Sequence, residues 1–335
     1  MLVQFIKSIL VCGVLLAIFA ADAQAVMMNW SAVGNAGNAA DPADGDGVMA
    51  GIQNLGAVPY AYNIGTYDVT VSQYVEFLNA KDAHGTNSFS LYNVGMSTFP
   101  AGGISFNRLD PVGNIYSVIA GDGNHPVNQV SWYDAIRFAN WMNNGQGNGD
   151  TETGAYTLGA QGGLGQPLVP PLTHNAGAQI WLPTENEWYK AAYYNPATDS
   201  YFRFPTSSND VPIASAPTGL ANHANYNRGV GNLTDVGAYS GTTSPYGAFD
   251  MAGNIDQFNE DLIIAGNRGL RGGSFLTASW LELQSSFRNY NQPSHGVSDI
   301  GFRLASVANV PEPSTGVLAV IAGGMLWWWH QKRFK

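Results

Sequence analysis

The chain has 335 residues, of which 45% are hydrophobic, 12% aromatic and only 11% charged, against a usual charged fraction of about 25%. This composition supports a sizeable core and excludes an intrinsically disordered chain, which would contain few aromatic residues. The net charge of −10 argues against nucleic acid as a partner, because an acidic surface repels phosphate groups.

The first 25 residues have the pattern of a secretory signal peptide. Lys7 supplies a positive charge, residues 9–21 form an apolar stretch, and Ala23 and Ala25 form an A-x-A cleavage site. We therefore predict that signal peptidase cuts the exported chain after Ala25. The single cysteine, Cys12, lies in the removed segment. Its removal excludes disulfides, zinc–cysteine sites and thiol catalysis in the mature protein.

Residues 26–55 form a polar lead-in that is rich in glycine, alanine and asparagine. Asp41, Asp44 and Asp46 lie close together in this lead-in. A calcium loop also needs a carboxylate later in the sequence, and none follows at the required position. We therefore interpret these aspartates as part of a polar turn rather than as a metal site.

The next segments predict short strands and a first helix. Residues 60–71 alternate between polar and apolar side chains, which indicates strands, and Ser72 is typical of the N-cap of a short helix. Further strand-like pieces lie around Gly103 and over residues 115–120.

Two helices are predicted most clearly, because each begins with a capping box. Ser131 and Asp134 form one such pair, and Thr184 and Glu187 form the other. Pro196 ends the second helix, since proline cannot continue the hydrogen-bonding pattern.

Six segments occur in a characteristic order. They are YDVTVSQYVEFLNA (67–80), HPVNQVSWYDAIRFANWM (125–142), WLPTENEWYKAA (181–192), SPYGAFDMAGNIDQF (244–258), RGGSF (271–275) and GFR (301–303). Together they resemble the sulfatase-modifying-factor (formylglycine-generating) family. The resemblance implies an α+β fold over residues 56–306: a single compact, loop-rich domain of the C-type-lectin-like kind, with short strands and two main helices.

The resemblance also locates the metal chemistry of the family. In its copper oxidases, two cysteines just after the R-G-G-S motif, five positions apart, bind Cu(I), which prefers soft thiolates. The matching positions here are Thr277 and Glu282, which offer only hard oxygen atoms. The resemblance therefore implies that this chain binds no copper and does not generate formylglycine by the known route.

Other relatives use non-haem iron held by histidines, largely from an additional helical domain that is absent here. The histidines of this chain have no metal-ligand spacing; they are His84, His125, His174, His223, His295 and His330. A site assembled in space from scattered histidines and oxygen ligands remains the alternative.

Calcium is the cofactor that the resemblance still allows. The family binds one ion through side chains and backbone carbonyls at positions that correspond here to Asp250, Gly253, Ile255 and Gln257. Gln257 replaces a glutamate of the family, but oxygen ligands in a glycine-containing loop suit Ca²⁺. A second family site begins at the pair Asn225 and Tyr226.

Three arginines in the C-terminal third have a structural interpretation. Arg271, Arg288 and Arg303 each carry a planar fork of donors, which suits several loop carbonyls at once. In a loop-rich fold such donors replace missing strand hydrogen bonds. We therefore favour this role over substrate binding.

Residues 307–335 have the pattern of a sorting signal. The segment VPEPS is followed by an apolar run at 315–329, shorter than the ~20 residues of a spanning helix, and by a basic tail. This arrangement resembles the PEP-CTERM signal of Gram-negative bacteria, in which an exosortase cuts near the motif residues, here Pro311, Glu312 and Pro313. A plain C-terminal anchor helix is the alternative that we disfavour.

Together these patterns predict an exported, surface-sorted domain. Removal of both signals would leave ten basic and 22 acidic residues, a net charge of −12. We expect a non-catalytic binding or extracellular-matrix module, inserted transiently in the membrane during sorting, with an extracellular polysaccharide or a surface protein as its partner. The alternative is an oxidoreductase of the family that uses non-cysteine metal ligands.

Overall fold

A computed structural model of the chain describes residues 25–42, 54–158, 173–264 and 266–308. The predicted processing residues Ala23, Pro311, Glu312 and Pro313 and the C-terminal apolar run lie outside these ranges. Within them, no helix has the length and apolar character needed to cross a bilayer.

Helices begin where local side chains satisfy the free N–H groups of the first turn. The helices are α1 (Val71–Lys81), α2 (Gly95–Thr98), α3 (Trp132–Asn143) and α4 (Glu185–Tyr193), with a 3-10 turn at Trp280–Leu283. The predicted capping boxes at Ser131 and Thr184 are confirmed: each hydroxyl accepts from the backbone three residues on, and the acidic side chain there accepts from the cap N–H.

The first helix begins earlier than predicted. Thr70, not Ser72, is its N-cap: Thr70 has extended backbone angles and its hydroxyl accepts from the backbone N–H of Gln73. The Gln73 side chain accepts in return from the Thr70 N–H at 2.9 Å. This reciprocal pair starts the helix at Val71 and gives it 11 residues, which is longer than the short helix expected from the sequence.

The strands are short and form two four-stranded sheets and three two-stranded pairs. In chain order they are β1 (Trp30–Val33), β2 (Tyr62–Gly65), β3 (Ile104–Phe106), β4 (Tyr116–Val118), β5 (Ile180–Trp181), β6 (Tyr194–Asn195), β7 (Ser200–Tyr201), β8 (Ile213–Ala214), β9 (His223–Ala224), β10 (Asp256–Ile264), β11 (Asn267–Arg271), β12 (Asn289–Asn291), β13 (Ile300–Phe302) and β14 (Ala305–Val307). The strands expected near Gly103 and residues 115–120 are confirmed as the antiparallel pair of β3 and β4.

The first sheet joins the two ends of the described chain. Its order is β1-β2-β14-β5, with every neighbour antiparallel. Part of the lead-in therefore belongs to the folded unit, because β1 pairs with β2 and Val26 is buried in the core. The second sheet has the order β12-β11-β10-β13, in which β10 and β13 are parallel.

Aromatic packing holds the helices on the sheets. Phe138 of α3 lies at the centre of the largest cluster, with its ring centroid 5.3 Å from Phe77, 5.6 Å from Trp141 and 5.5 Å from Phe302 of β13. A second cluster packs α4, through Trp188, against β2. The result is the predicted loop-rich α+β fold, in which loops carry most of the chain.

Candidate functional site

The loop between Gly273 and Leu283 holds both positions that correspond to the copper cysteines. The Thr277 hydroxyl accepts from the Ser274 backbone N–H at 2.9 Å, and its interaction with Glu282 lowers the pKa of that carboxyl group against the larger effect of burial. Gly273 has a φ of +67°, and a Cβ there would lie 2.8 Å from the Leu283 side chain. Glycine is therefore required for this tight return of the chain.

Three carboxyl groups surround this loop. Burial, and next to it the charge of Asp299, raises the pKa of Asp256 to about 7. Asp256 accepts from the Gly273 backbone N–H at 3.2 Å, and Asp299 accepts from the Ser274 hydroxyl at 3.1 Å. Burial also raises the pKa of Glu282, and the negative charge of Asp299 raises it further. The sequence did not predict the roles of Asp256 and Asp299, because their loop contacts come from 17 and 25 residues away.

Within the described ranges, no three His, Cys, Asp or Glu residues come together as a metal-holding group. The described histidines do not share a site, and two of them pair with separate carboxyl groups. His125 lies 3.5 Å from Asp122, while the Nδ1 atom of His174 lies 2.8 Å from Glu260.

The first predicted calcium position is built around Gln257. Its Oε1 atom accepts from Trp188 Nε1 at 2.7 Å and from Arg303 Nε at 2.6 Å, and its Nε2 atom donates to the Asp250 carbonyl at 2.8 Å. An oxygen that already faces a guanidinium does not fit a Ca²⁺ ligand, because the arginine charge repels the ion. In this arrangement the Gln257 side chain connects the 250–257 turn, which contains Gly253 and Ile255, to Trp188 and Arg303 in the core.

Asp250 and Asn225 fit oxygen ligation better. Burial raises the pKa of Asp250 to about 6, and its Oδ2 atom accepts from the Gly237 N–H at 2.6 Å. The Oδ1 atom of Asn225 is buried without a hydrogen-bond partner in the described part of the chain. Its neighbour Tyr226 is committed elsewhere, donating to the Pro212 carbonyl at 2.6 Å. The calcium assignment therefore stays a prediction, and the Oδ1 atom of Asn225 is the atom that fits a calcium ligand best.

With this geometry in view, the comparison with known families is decisive. Residues 53–308 match the model of the Sulfatase-modifying factor enzyme 1-like domain. The chain belongs to this family. The match spans both sheets apart from β1, and it includes the loop of Thr277 and Glu282.

Sequence relatives of this sulfatase-modifying-factor domain protein include hercynine oxygenases. It is 33% identical over 153 residues to the enzyme of Mycolicibacterium smegmatis, which is 39% of this chain and 33% of the relative. The Mycobacterium tuberculosis enzyme is 31% identical over 149 residues, 39% of this chain and 32% of the relative. The matched region thus spans about a third of the length of these curated relatives.

Solved structures with this fold include the Treponema denticola variable protein 1, with a TM-score of 0.53 and 21% identity, covering 85% of this chain and 97% of that one. PvdO from Pseudomonas aeruginosa has a TM-score of 0.50 and 18% identity, covering 83% of this chain and 92% of that one. At these identities the likeness shows the fold alone, and it confirms the C-type-lectin-like architecture.

The arginines of this family member have the structural role predicted for two of the three. Arg271 donates to the Ser285 carbonyl at 2.7 Å and to the Phe287 carbonyl at 2.6 Å. Arg303 donates to the Gly65 carbonyl at 2.8 Å and to the Phe249 carbonyl at 2.9 Å. Three of these bonds tie a loop carbonyl to the core, and the fourth binds the last carbonyl of β2.

Arg288 differs, because its buried guanidinium pairs with the carboxylate of Glu185. Glu185 also accepts from Arg271 at 2.7 Å, so one acidic side chain at the start of α4 holds two arginines. The sequence indicated Glu185 only as a favourable charge at a helix N-terminus.

Proposed function

We propose that this domain is an exported, surface-sorted binding or extracellular-matrix module that has lost the copper chemistry of its family. The observation that carries the proposal is the pair Thr277 and Glu282 at the positions of the copper cysteines. The Thr277 hydroxyl is hydrogen-bonded to the loop backbone, and both side chains offer only oxygen atoms. Cu(I) prefers thiolates, and the only cysteine of the chain is Cys12.

The position of Cys12 in the apolar N-terminal stretch supports the same conclusion. A mature chain that starts at Val26 contains no thiol at all. Val26 supports this start: its backbone N–H donates to Gln146 Oε1 at 2.6 Å, and the Gln146 amide returns a bond to the Val26 carbonyl at 2.8 Å. The fold therefore holds the chain from the first residue after the proposed cut.

An assay with a cysteine-containing sulfatase peptide, oxygen and copper tests the loss of oxidase chemistry. We expect no aldehyde above a no-enzyme control. The matched variant carries Thr277→Cys and Glu282→Cys, which restore the two thiolates. Turnover by the unmodified protein would contradict the proposal.

The alternative is an oxidoreductase whose metal is held by oxygen and histidine ligands. It is favoured by the sequence similarity to hercynine oxygenases. Metal analysis of the purified domain after exposure to Fe(II) and Cu(I) separates the two functions. A stoichiometric metal ion together with oxygen consumption would favour the enzyme, and substoichiometric metal favours the binding module.

Export and sorting are the other part of the proposal, with signal peptidase and an exosortase as transient partners. Intact-mass analysis of the protein from its native host should show a start at Val26 and the loss of the tail near residues 311–313. An exported protein that keeps its full tail would contradict the sorting step while leaving the binding function in place.

A further inference from the structure

A cavity of about 310 Å³ opens beside the amino end of α3. Its walls come from three separate segments, around residues 87–94, 129–134 and 294–296. None of its lining residues belongs to the 273–283 loop, and none corresponds to a predicted metal position. This volume is at the lower end of the range for small-molecule sites in proteins.

Gln129 forms part of the wall and is only 5% exposed. Its side-chain amide forms no hydrogen bond to the described residues, and it is not one of the sealed side-chain groups without a partner. Its polar atoms therefore face the open space of the cavity, where a ligand or water completes their hydrogen bonding.

The backbone of Gln129 is held in a strained conformation. Its φ is +59°, a region that glycine favours and that costs energy for other residues. The Val297 carbonyl fixes it by accepting from its N–H at 2.9 Å. A Cβ at Gly95 would lie 2.6 Å from Gln129 Cδ, and one at Gly296 would lie 2.3 Å from the Gln129 carbonyl oxygen. Gly95 thus makes room for the Gln129 side chain, and Gly296 for its backbone carbonyl.

Asp134 is the second residue with a polar atom that faces the cavity, although its side chain is only 6% exposed. Its Oδ2 atom accepts from the backbone N–H of Ser131 at 2.8 Å and from the Ser131 hydroxyl at 2.7 Å. Its Oδ1 atom forms no hydrogen bond to the described residues and is not among the sealed atoms without a partner, so it is open to the cavity. One oxygen therefore caps α3, and the other is free to accept from a molecule in the cavity.

The chemistry of the wall selects the ligand class. Asp134 only accepts, the Gln129 amide both donates and accepts, and the hydroxyls of Ser90 and Ser294 do the same. No lining residue is basic, so a phosphate, sulfate or carboxylate would have no charged partner. A ligand with neutral hydroxyl groups can donate to the carboxylate and can both donate to and accept from the amide and the serine hydroxyls.

We propose that this cavity binds one neutral saccharide unit, with sugar hydroxyls donating to Asp134 and pairing with the amide of Gln129. The inference rests on the proposed binding function and names its ligand class. It gives the matrix module a site that is separate from the former copper position.

Titration of the purified 26–308 domain with glucose, mannose, galactose and N-acetylglucosamine, followed by NMR, tests the proposal. We expect at least one neutral sugar to bind with a dissociation constant of about 1 mM, typical of a few hydrogen bonds to a small ligand. Gln129→Leu and Asp134→Asn should each weaken that binding at least tenfold. Glucuronate should bind more weakly than glucose, because Asp134 repels its charge.

Ser294→Trp is the variant least dependent on folding, since Ser294 is exposed and the indole would fill the cavity mouth. Asn209→Ala, in a different cavity of about 460 Å³, is the matched control and should leave sugar affinity unchanged. Melting curves of all four variants separate lost binding from lost folding.

The site is overturned if no neutral sugar binds up to about ten times the expected dissociation constant. It is also overturned if binding survives Ser294→Trp and Gln129→Leu, or if glucosamine binds tenfold better than glucose, which would indicate a cationic ligand class. Aldehyde formation from the sulfatase peptide would instead contradict the proposed function and leave the cavity result standing.

Discussion

Two buried polar regions of this protein differ in how their hydrogen bonds are completed. Around Arg303, three nitrogens of one guanidinium donate to Gln257, to the Gly65 carbonyl and to the Phe249 carbonyl, and the buried carboxylate of Asp68 lies 3.0 Å away. Around Gln129 and Asp134, which line a cavity, an amide and one carboxylate oxygen form no hydrogen bond to the described residues.

The difference separates structural polar groups from candidate binding groups. Buried polar atoms that pair within the chain stabilise a particular loop arrangement, whereas unpaired ones on a cavity wall cost stability unless something else pairs with them. By this criterion Arg271 and Arg303 hold the fold together, and the proposed binding site lies at the amino end of α3, where Asp134 also caps the helix.

The largest expected effect is at Arg303. Arg303→Met should lower the free energy of unfolding by about 3–5 kcal/mol, because it leaves the buried carboxylate of Asp68 without its cation. Urea denaturation measures this loss. Arg303→Lys, which keeps the charge but not the fork, should recover only part of it. If Arg303→Met lowers the free energy of unfolding by less than about 1 kcal/mol, the Arg303 region is no more important for stability than the Gln129 region.

Calcium should have the next largest effect. If the domain binds Ca²⁺ only when folded, calcium at ~100 times its dissociation constant adds about 2.7 kcal/mol of stability and raises the melting temperature by at least a few degrees. The difference between melting curves in calcium and in chelator measures it.

Two variants assign the ion. The calcium-dependent shift should vanish in Asn225→Ala if the free Oδ1 atom is a ligand, and in Asp250→Ala if its carboxylate is one. Phe249→Ala, which removes a ring stacked on Tyr67 at 5.4 Å, should lower the melting temperature without changing the shift. Identical curves in calcium and in chelator for the unmodified protein would exclude both positions.

His174 is an intermediate case, with a partly exposed ring that pairs with the buried Glu260. Burial lowers its pKa, but the hydrogen bond and the charge of Glu260 outweigh burial, so the pKa is raised overall. This stabilisation is fully present below the unfolded pKa of about 6.5 and is lost as the pH rises through the higher folded value.

His174→Gln should therefore cost up to about 1 kcal/mol at pH 6 and less at pH 8. Unfolding free energies of both proteins across this range measure the difference. A cost that does not fall with pH would show that the ring acts by packing on Trp181, 4.9 Å away, rather than by its charge.

The smallest effect should come from Gln129. Gln129→Leu should change the free energy of unfolding by less than about 1 kcal/mol, because it removes an amide that forms no hydrogen bond to the described residues. Gln129→Gly should be neutral or stabilising, since it relieves the positive φ. If Gln129→Leu lowers the free energy of unfolding by more than about 2 kcal/mol, Gln129 has a structural role like that of Arg303.

The sequence predicted features that depend on neighbouring residues. The capping boxes of α3 and α4 were predictable because Ser131 and Thr184 find their partners three residues away. The fold class followed from six ordered motifs. The first helix was misplaced by two residues because Thr70 and Ser72 are both good N-cap residues, and only the Gln73 return bond distinguishes them.

Distant pairing could not be predicted. Gln257 looked like a calcium ligand by its position, whereas its partners Trp188 and Arg303 are 69 and 46 residues away. The free oxygen of Asp134 was equally hidden, because a capping box uses only one carboxylate oxygen and the sequence does not show what faces the other.

The place of β14 in the first sheet has a consequence for the order of folding. This strand lies between β2 and β5, and Asn63 donates to the carbonyl of Val307, 244 residues further along the chain. Contacts of such separation slow folding, because a long loop must close before they form. The first sheet therefore cannot be completed until the chain has been synthesised as far as Val307.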